Sequence, residues 1–304
     1  MARLPTPRAG APLMADLLWL DGAFLPAESG RVSFEDRGFQ FADGIYEVVA
    51  CFDGEPFMIE EHLDRFDASA AGLLIDPDYS RDARREVILE LAHRSPARDT
   101  MIYGQLTRGA APRSHVFPAA HVHPTELWHA RPLPTYPPEY HQKGVGLISH
   151  PDERWANCHL KTISLLPNIL AKEKAKRAGC FEALFYNTEG IVTECGASNA
   201  WAVVDGEIRT HPLTHAILGG ITRILILELA RELNLRVNET AATLDVFRCA
   251  EEVFLSSTTV GALPVAGIDG RPVGSGTPGP ITRALMAALD ERIASVRAGM
   301  GART

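Results

Sequence analysis

AWAVVDGEIRT, residues 200–210, places Asp205-Gly206 between two apolar, strand-like runs. Asp-Gly in that setting is a strong short-range hairpin signal, because a two-residue turn of the favoured hand needs positive φ at both positions. The same arrangement recurs in LLWLDGAFL (17–25), VVACFDGEPFMI (48–59) and VAGIDGRPV (265–273). Antiparallel strand pairs are therefore expected in both halves of the chain. That argues against a purely parallel, doubly wound sheet.

Helical spacing alternates with these hairpins. It predicts helices over 59–74 and 82–94 in the first half, and over 165–179, 220–234 and 280–297 in the second. Between the halves, ARPLPTYPPEYHQKG (130–144) holds Pro132, Pro134, Pro137 and Pro138. Such a stretch reads as a stiff linker rather than an element. The expected organisation is two α+β domains, 14–130 and 143–304, joined by a Pro-rich linker at 131–142. Residues 1–13 read as a loose extension, with Met14 a candidate start, and the tail RAGMGART reads as frayed.

The chain has 304 residues, 46% hydrophobic and 22% charged, with a net charge of −8. This is the composition of a globular protein with a sizeable core, not of a disordered or collagen-like chain. An acidic balance without a basic stripe offers nothing to nucleic acid or a membrane surface. Five scattered cysteines with no CxxC read as reduced thiols of a cytoplasmic protein. No uncharged run has the length of a membrane span.

Several short stretches carry candidate chemistry. Lys161 heads a run, 162–171, that holds no charge. It reads as a snorkelling surface lysine or as a partly buried amine suited to Schiff-base chemistry. Glu194 ends a strand-like run before the small-residue turn CGAS. It reads as a solvated strand end or as a carboxylate held against a buried positive group. Gly219-Gly220 precede a helix with Ile221 and Thr222 in its first turn, and FLSSTTVG (254–261) adds consecutive hydroxyls. Together they suggest a phosphate cup that is not a P-loop. TRGAAPRSHVFP (107–118) sets Arg108, Arg113 and His115 on one loop, a carboxylate-binding set or a solvated surface.

Other patterns lead nowhere. The GxGxxG of VGSGTPGP (273–280) lies near the C-terminus with Pro278 inside it, and reads as a loop rather than a dinucleotide fingerprint. His121 and His123 would share a face if on a strand, with His129 nearby, but no cysteine or carboxylate completes a metal set in the local sequence. No metal site is expected. No GxSxG elbow supports a serine hydrolase.

The order of the motifs is more specific than any one of them. EDRGFQFADGIYEVV, EEHLDRFDASA, TRGAAPRSHVFP, LKTISLLPNILAKEKA, VTECGASN, GGITR and SSTT follow one another as in the fold-type IV pyridoxal-phosphate aminotransferases. The chain resembles in particular the bacterial D-amino-acid transaminases, from about Met14 to Arg292. The resemblance implies a two-domain α+β fold with mixed and antiparallel sheets and flanking helices. It implies that Lys161 joins pyridoxal 5'-phosphate through a Schiff base and shuttles a proton between the substrate Cα and the cofactor C4′. It assigns Arg65, Ile221, Thr222, Ser257 and Thr258 to the cofactor phosphate, Glu194 to the ring nitrogen and Leu218 to the ring face. Tyr46, Arg113 and His115 match the set that holds the substrate carboxylate, the last two reaching in from the neighbouring subunit of a homodimer.

The resemblance thus implies exchange of an amino group between a D-amino acid and a 2-oxo acid in a ping-pong cycle. Other activities of the same scaffold remain as alternatives: (R)-amine or branched-chain L-amino-acid transamination, or aminodeoxychorismate lyase activity. So does a non-catalytic ligand-binding relative. Ala197 replaces an expected hydroxyl, one residue is added between Lys161 and Glu194, and Thr162 stands where serine is usual. These departures bear on cofactor affinity, not on the reaction class.

Overall fold

A computed structural model describes residues 17–119 and 121–299. The expected loose extension over 1–13 and the end of the tail, 300–304, lie outside the described residues. The first half comprises β1 (Leu17–Leu20), β2 (Ala23–Pro26), α1 (Arg37–Phe41), β3 (Gly44–Phe52), β4 (Glu55–Pro56), α2 (Ile59–Gly72), α3 (Arg81–Arg94), β5 (Asp99–Thr107) and β6 (Thr125–Pro132). Its strands form one antiparallel sheet in the order β2-β1-β6-β5-β3-β4. The apolar faces of α2 and α3 close over that sheet. Leu63 and Phe66 from α2, and Ile88 and Leu91 from α3, meet Ile45, Ile102 and Trp128 in one buried cluster. Burying side chains of this size stabilises the fold by about 1.5–3 kcal/mol each.

The second half comprises α4 (Pro138–Lys143), β7 (Val145–Pro151), α5 (Leu166–Arg177), β8 (Glu182–Tyr186), β9 (Val192–Cys195), β10 (Asn199–Val204), β11 (Glu207–Thr210), α6 (Ile221–Glu232), β12 (Arg236–Asn238), α7 (Leu244–Cys249), β13 (Glu252–Ser257), β14 (Gly261–Ile268), β15 (Arg271–Pro272) and α8 (Pro280–Arg297). The strands form a second sheet, β12-β11-β10-β13-β14-β7-β8-β9, with β15 on β14. It is mixed: β14–β7, β7–β8 and β11–β12 are parallel and the other pairs antiparallel. Helices α6 and α8 bury Leu225, Ile226, Leu229, Leu285 and Leu289 against Trp201 and Phe254.

All four Asp-Gly pairs turn hairpins: β1–β2, β3–β4, β10–β11 and β14–β15. Asp and Gly both have positive φ at each turn, for example 52° and 64° at Asp205 and Gly206. This is the geometry that matches the twist of the strands. The Pro-rich stretch departs from the expectation of a linker without elements. β6 runs through Arg131 and Pro132, and α4 starts at Pro138, where a helix tolerates proline because the first amides have no intrahelical partner.

The GxGxxG stretch is a loop capping α8. Glu252 accepts hydrogen bonds from the amides of Ile281 (3.0 Å) and Thr282 (2.8 Å). A carboxylate of the protein itself occupies the anion position of that helix. No described helix is long and apolar enough to cross a membrane.

Candidate active site

The segment after β7 carries Lys161 across the seam between the two sheets. The Tyr46 amide donates to the Lys161 carbonyl (2.9 Å), and the Lys161 amide donates to Ser69 Oγ of α2 (3.1 Å). Thr162 bridges to Ile45 of β3. The lysine backbone is thus tied to the first sheet, while α5 begins immediately beyond, with Pro167 in its first turn. The half-buried side chain sets its Nζ 4.2 Å from the centre of the Tyr46 ring. Tyr46 is itself stacked on Tyr103, and Tyr103 on His129.

One cleft gathers most of the sequence candidates. Tyr46, Arg65, Lys161, Glu194, Leu218, Ile221, Thr222, Ser257 and Thr258 all line it. At one end, Arg65 lies against the start of α6, where Nη1 donates to the Gly219 carbonyl (3.0 Å). Gly220 is the N-cap of α6 and supplies no side-chain cap. A Cβ at Gly220 would lie 2.1 Å from Asn199 Oδ1, so that close approach requires glycine. A positive guanidinium, an uncapped helix start and the hydroxyls of Ser257 and Thr258 make this end an anion site.

Glu194, at the other end, sits on β9 and is buried. Arg154 Nη1 donates to its Oε1. Asn199 Nδ2 donates to Oε2 (3.0 Å), and the Leu218 amide lies 3.3 and 3.2 Å from the two oxygens. Burial pushes the Glu194 carboxyl up, and Arg154 and the Leu218 amide only partly offset this. Burial also works against the charge on Arg154, but bonds to Asp152 and the attraction of Glu194 and Asp152 outweigh it and raise its pKa. Glu194 is therefore a carboxylate with a raised proton affinity beside a permanent cation.

Two residues that sequence reasoning did not single out hold this arrangement. Arg154 binds Asp152 (2.8 Å), Glu194 and the Ala216 carbonyl (3.1 Å), and its guanidinium lies 4.8 Å from the Phe185 ring. Its sequence hint was only its place shortly before Lys161. Glu47 on β3 grips Arg65 through two hydrogen bonds, 2.9 and 2.6 Å, and contacts His62 Nδ1 at 3.0 Å. Burial opposes ionisation of Glu47, but Arg65 and His62 outweigh it and hold its carboxyl well below the usual range. Its signal was the carboxylate one residue after Tyr46.

Arg113 and His115 are elsewhere. They lie on an exposed loop, are not among the residues lining the cleft of their own chain, and pack against Phe41. The buried Arg37 steadies this loop, donating to the Ser114 carbonyl (2.6 Å) and to Asp43 (2.7 Å). Arg108 is not among the residues lining the cleft. It is tied to Asp43 at 2.9 and 3.0 Å and to the carbonyls of Leu73 and Leu74. His129 lies within β6, whereas His121 and His123 lie outside any strand, just before it. The fold brings Asp78, distant in sequence, beside that pair, a neighbour that the local sequence does not show.

The family pattern described as Amino-transferase class IV matches residues 44–268. The chain is a class IV aminotransferase. A D-alanine aminotransferase of Bacillus licheniformis is 39% identical over 275 residues, 90% of this chain and 96% of that protein. One from Staphylococcus aureus is 38% identical over 278 residues, 91% of this chain and 98% of that protein. Among solved structures, a branched-chain amino acid aminotransferase from Escherichia coli has a TM-score of 0.84 at 25% identity, covering 94% of this chain and 95% of that one. A T.th. branched-chain amino acid aminotransferase with pyridoxamine 5'-phosphate has a TM-score of 0.85 at 29% identity, covering 94% and 96%.

Class IV aminotransferases depend on pyridoxal phosphate, and the cleft fits that cofactor. Its ends are of opposite character: the uncapped helix start with Arg65 suits a phosphate, and buried Glu194 suits a ring nitrogen that carries a proton. Lys161 adds a primary amine to the same lining. Ser198 Oγ, also in the wall, is buried with no hydrogen-bond partner.

Proposed function

We propose that this chain is a transaminase that exchanges the amino group of a D-amino acid, such as D-alanine or D-glutamate, with a 2-oxo acid, such as pyruvate or 2-oxoglutarate. The observation that carries the reading is the convergence of Lys161, Tyr46, Glu194 and the start of α6 on one cleft. The D-alanine aminotransferases at 38–39% identity over nine-tenths of the chain support the substrate class.

Arg65, the first-turn amides of α6 and the hydroxyls of Ser257 and Thr258 hold the phosphate, and Leu218 packs against the ring. Glu194, oriented by Arg154 and Asn199, keeps a proton on the ring nitrogen. Pyridoxal phosphate, when bound, supplies an electron-withdrawing ring that delocalises charge from the substrate Cα. Lys161 binds the cofactor, then moves the proton at Cα. Tyr46 borders the substrate beside that amine. Arg113 and His115 take the α-carboxylate of the substrate bound in a partner subunit, a fork and a ring N–H fixing which face of Cα meets the lysine. The reaction is ping-pong, in a cytoplasmic homodimer whose chains divide into domains 14–130 and 143–304 about the segment 131–142.

The test is a half-reaction screen. Holoenzyme is mixed separately with D-alanine, L-leucine and (R)-phenylethylamine, and the visible spectrum is followed. D-Alanine is expected to convert the spectrum fastest. A faster response to L-leucine would overturn the D-specific reading in favour of a branched-chain L-transaminase, which the solved neighbours suggest. A colourless protein unaffected by borohydride would instead mark a non-catalytic binder.

A further inference from the structure

Asp78 lies in the loop between α2 and α3, and His121 and His123 lie on the limb that returns to β6. His123 Nδ1 is 2.8 Å from Asp78 Oδ2, and His121 Nε2 is 3.8 Å from Asp78 Oδ1. The two imidazoles meet edge to face with ring centres 5.1 Å apart. One ligand atom from each of the three residues lies within 4.8 Å of the others. We propose that Asp78, His121 and His123 form a site for a divalent transition-metal ion such as zinc, separate from the cofactor cleft.

Donor chemistry and spacing both suit the ion. Two neutral imidazoles and a carboxylate are a three-ligand zinc set, leaving one position to water. Ligands about 2.0–2.1 Å from a tetrahedral ion stand about 3.4 Å from one another. The observed separations bracket that value. The side chains are exposed, His121 at 62% and His123 at 84%, so small rotations bring them to it.

Their surroundings favour a cation. Asp21 lines the same hollow, and no lysine or arginine is among its lining residues. Burial pushes the Asp21 carboxyl up, and the negative charges of Asp36 and Asp78 add to this. The Asp78 limb is also fixed: the Tyr79 ring packs edge-on against Trp19 at 4.7 Å, and Ser80 caps α3. An ordinary exposed His–Asp pair contributes little and needs no metal. The second imidazole facing the same carboxylate distinguishes this cluster from such a pair.

The site has a structural consequence. Arg108 already ties the outgoing limb of the β5–β6 connection to the α2–α3 loop, through the carbonyls of Leu73 and Leu74. A metal ion would tie the returning limb to the same loop. Arg113 and His115 lie between the two ties, so the ion would restrict the substrate-carboxylate loop; this consequence alone rests on the proposed function.

The experiment is a calorimetric titration of tag-free holoenzyme with zinc chloride, in a Cys249→Ser background that removes the exposed thiol. One saturable site assignable to the cluster is expected. The His121→Ala/His123→Ala variant should weaken it by about tenfold or more, with Asp78→Asn intermediate. The melting temperature without zinc should stay unchanged, because truncating exposed imidazoles leaves no cavity. Equal zinc affinity and stoichiometry in parent and double variant, or no saturable site in the parent, would overturn the proposal.

Discussion

Arg154 and Glu194 are a buried pair in which each partner would be costly alone. Side-chain exposure is 6% for both, and Asp152 adds a second carboxylate to the same guanidinium. Removing the cation leaves two carboxylates without compensation, a loss of about 3–5 kcal/mol by the usual cost of breaking such a pair. Arg154→Met should therefore lower the denaturant midpoint strongly in the cofactor-free protein. Adding Glu194→Gln should restore part of the loss, because the buried charge then disappears with its partner. Urea unfolding of the parent, both single variants and the double variant checks this. A loss below about 1 kcal/mol for Arg154→Met would mean that water, not the guanidinium, satisfies Glu194.

The sheet of the first half positions Tyr46 through a ladder of rings: Tyr46 on β3, Tyr103 on β5 and His129 on β6. Burial, with help from the Arg131 charge, pushes His129 down to about 4, so the folded protein keeps it neutral. Between that value and the ordinary 6.5, the unfolded chain binds a proton that the folded chain refuses. Stability must then fall as pH drops through this window, by about 2–3 kcal/mol from this group. His129→Phe keeps an aromatic ring in the stack and removes the titration. Its unfolding free energy should fall less than the parent's between about pH 7 and about pH 4.5. Parallel pH profiles would show that His129 is protonated without cost.

These elements differ in how far the sequence announced them. The Asp-Gly turns were legible because their backbone conformation is chemically selective. α8 was legible to the residue, since Pro280 suits a first turn and the apolar spacing continues to Arg297. α4 was not, because a proline cluster looks the same whether it stiffens a linker or starts a helix. Lys161, Glu194 and the α6 start stood out as local patterns. Arg154, Glu47 and Asp78 did not, since each acquires its role from a partner brought close only by tertiary folding.

At the scale of the whole molecule, the cleft and the loop bearing Arg113 and His115 are separate within one chain. On the proposed reading, each cleft is completed by the loop of the other subunit. This predicts complementation. Lys161→Ala and Arg113→Ala homodimers should each turn D-alanine over poorly. Both should fold, because the ties at Lys161 run through its backbone and Arg113 is exposed. In a heterodimer, the subunit that keeps Lys161 receives an intact Arg113 from its partner, and one of two sites becomes whole. Random assortment makes half the dimers mixed, so about a quarter of wild-type activity should return when the two variants are co-expressed. If the loop served its own chain, the mixed dimer would hold two defective sites. Activity would then stay at the average of the two parents, and the assignment of Arg113 and His115 to a partner's substrate would fail.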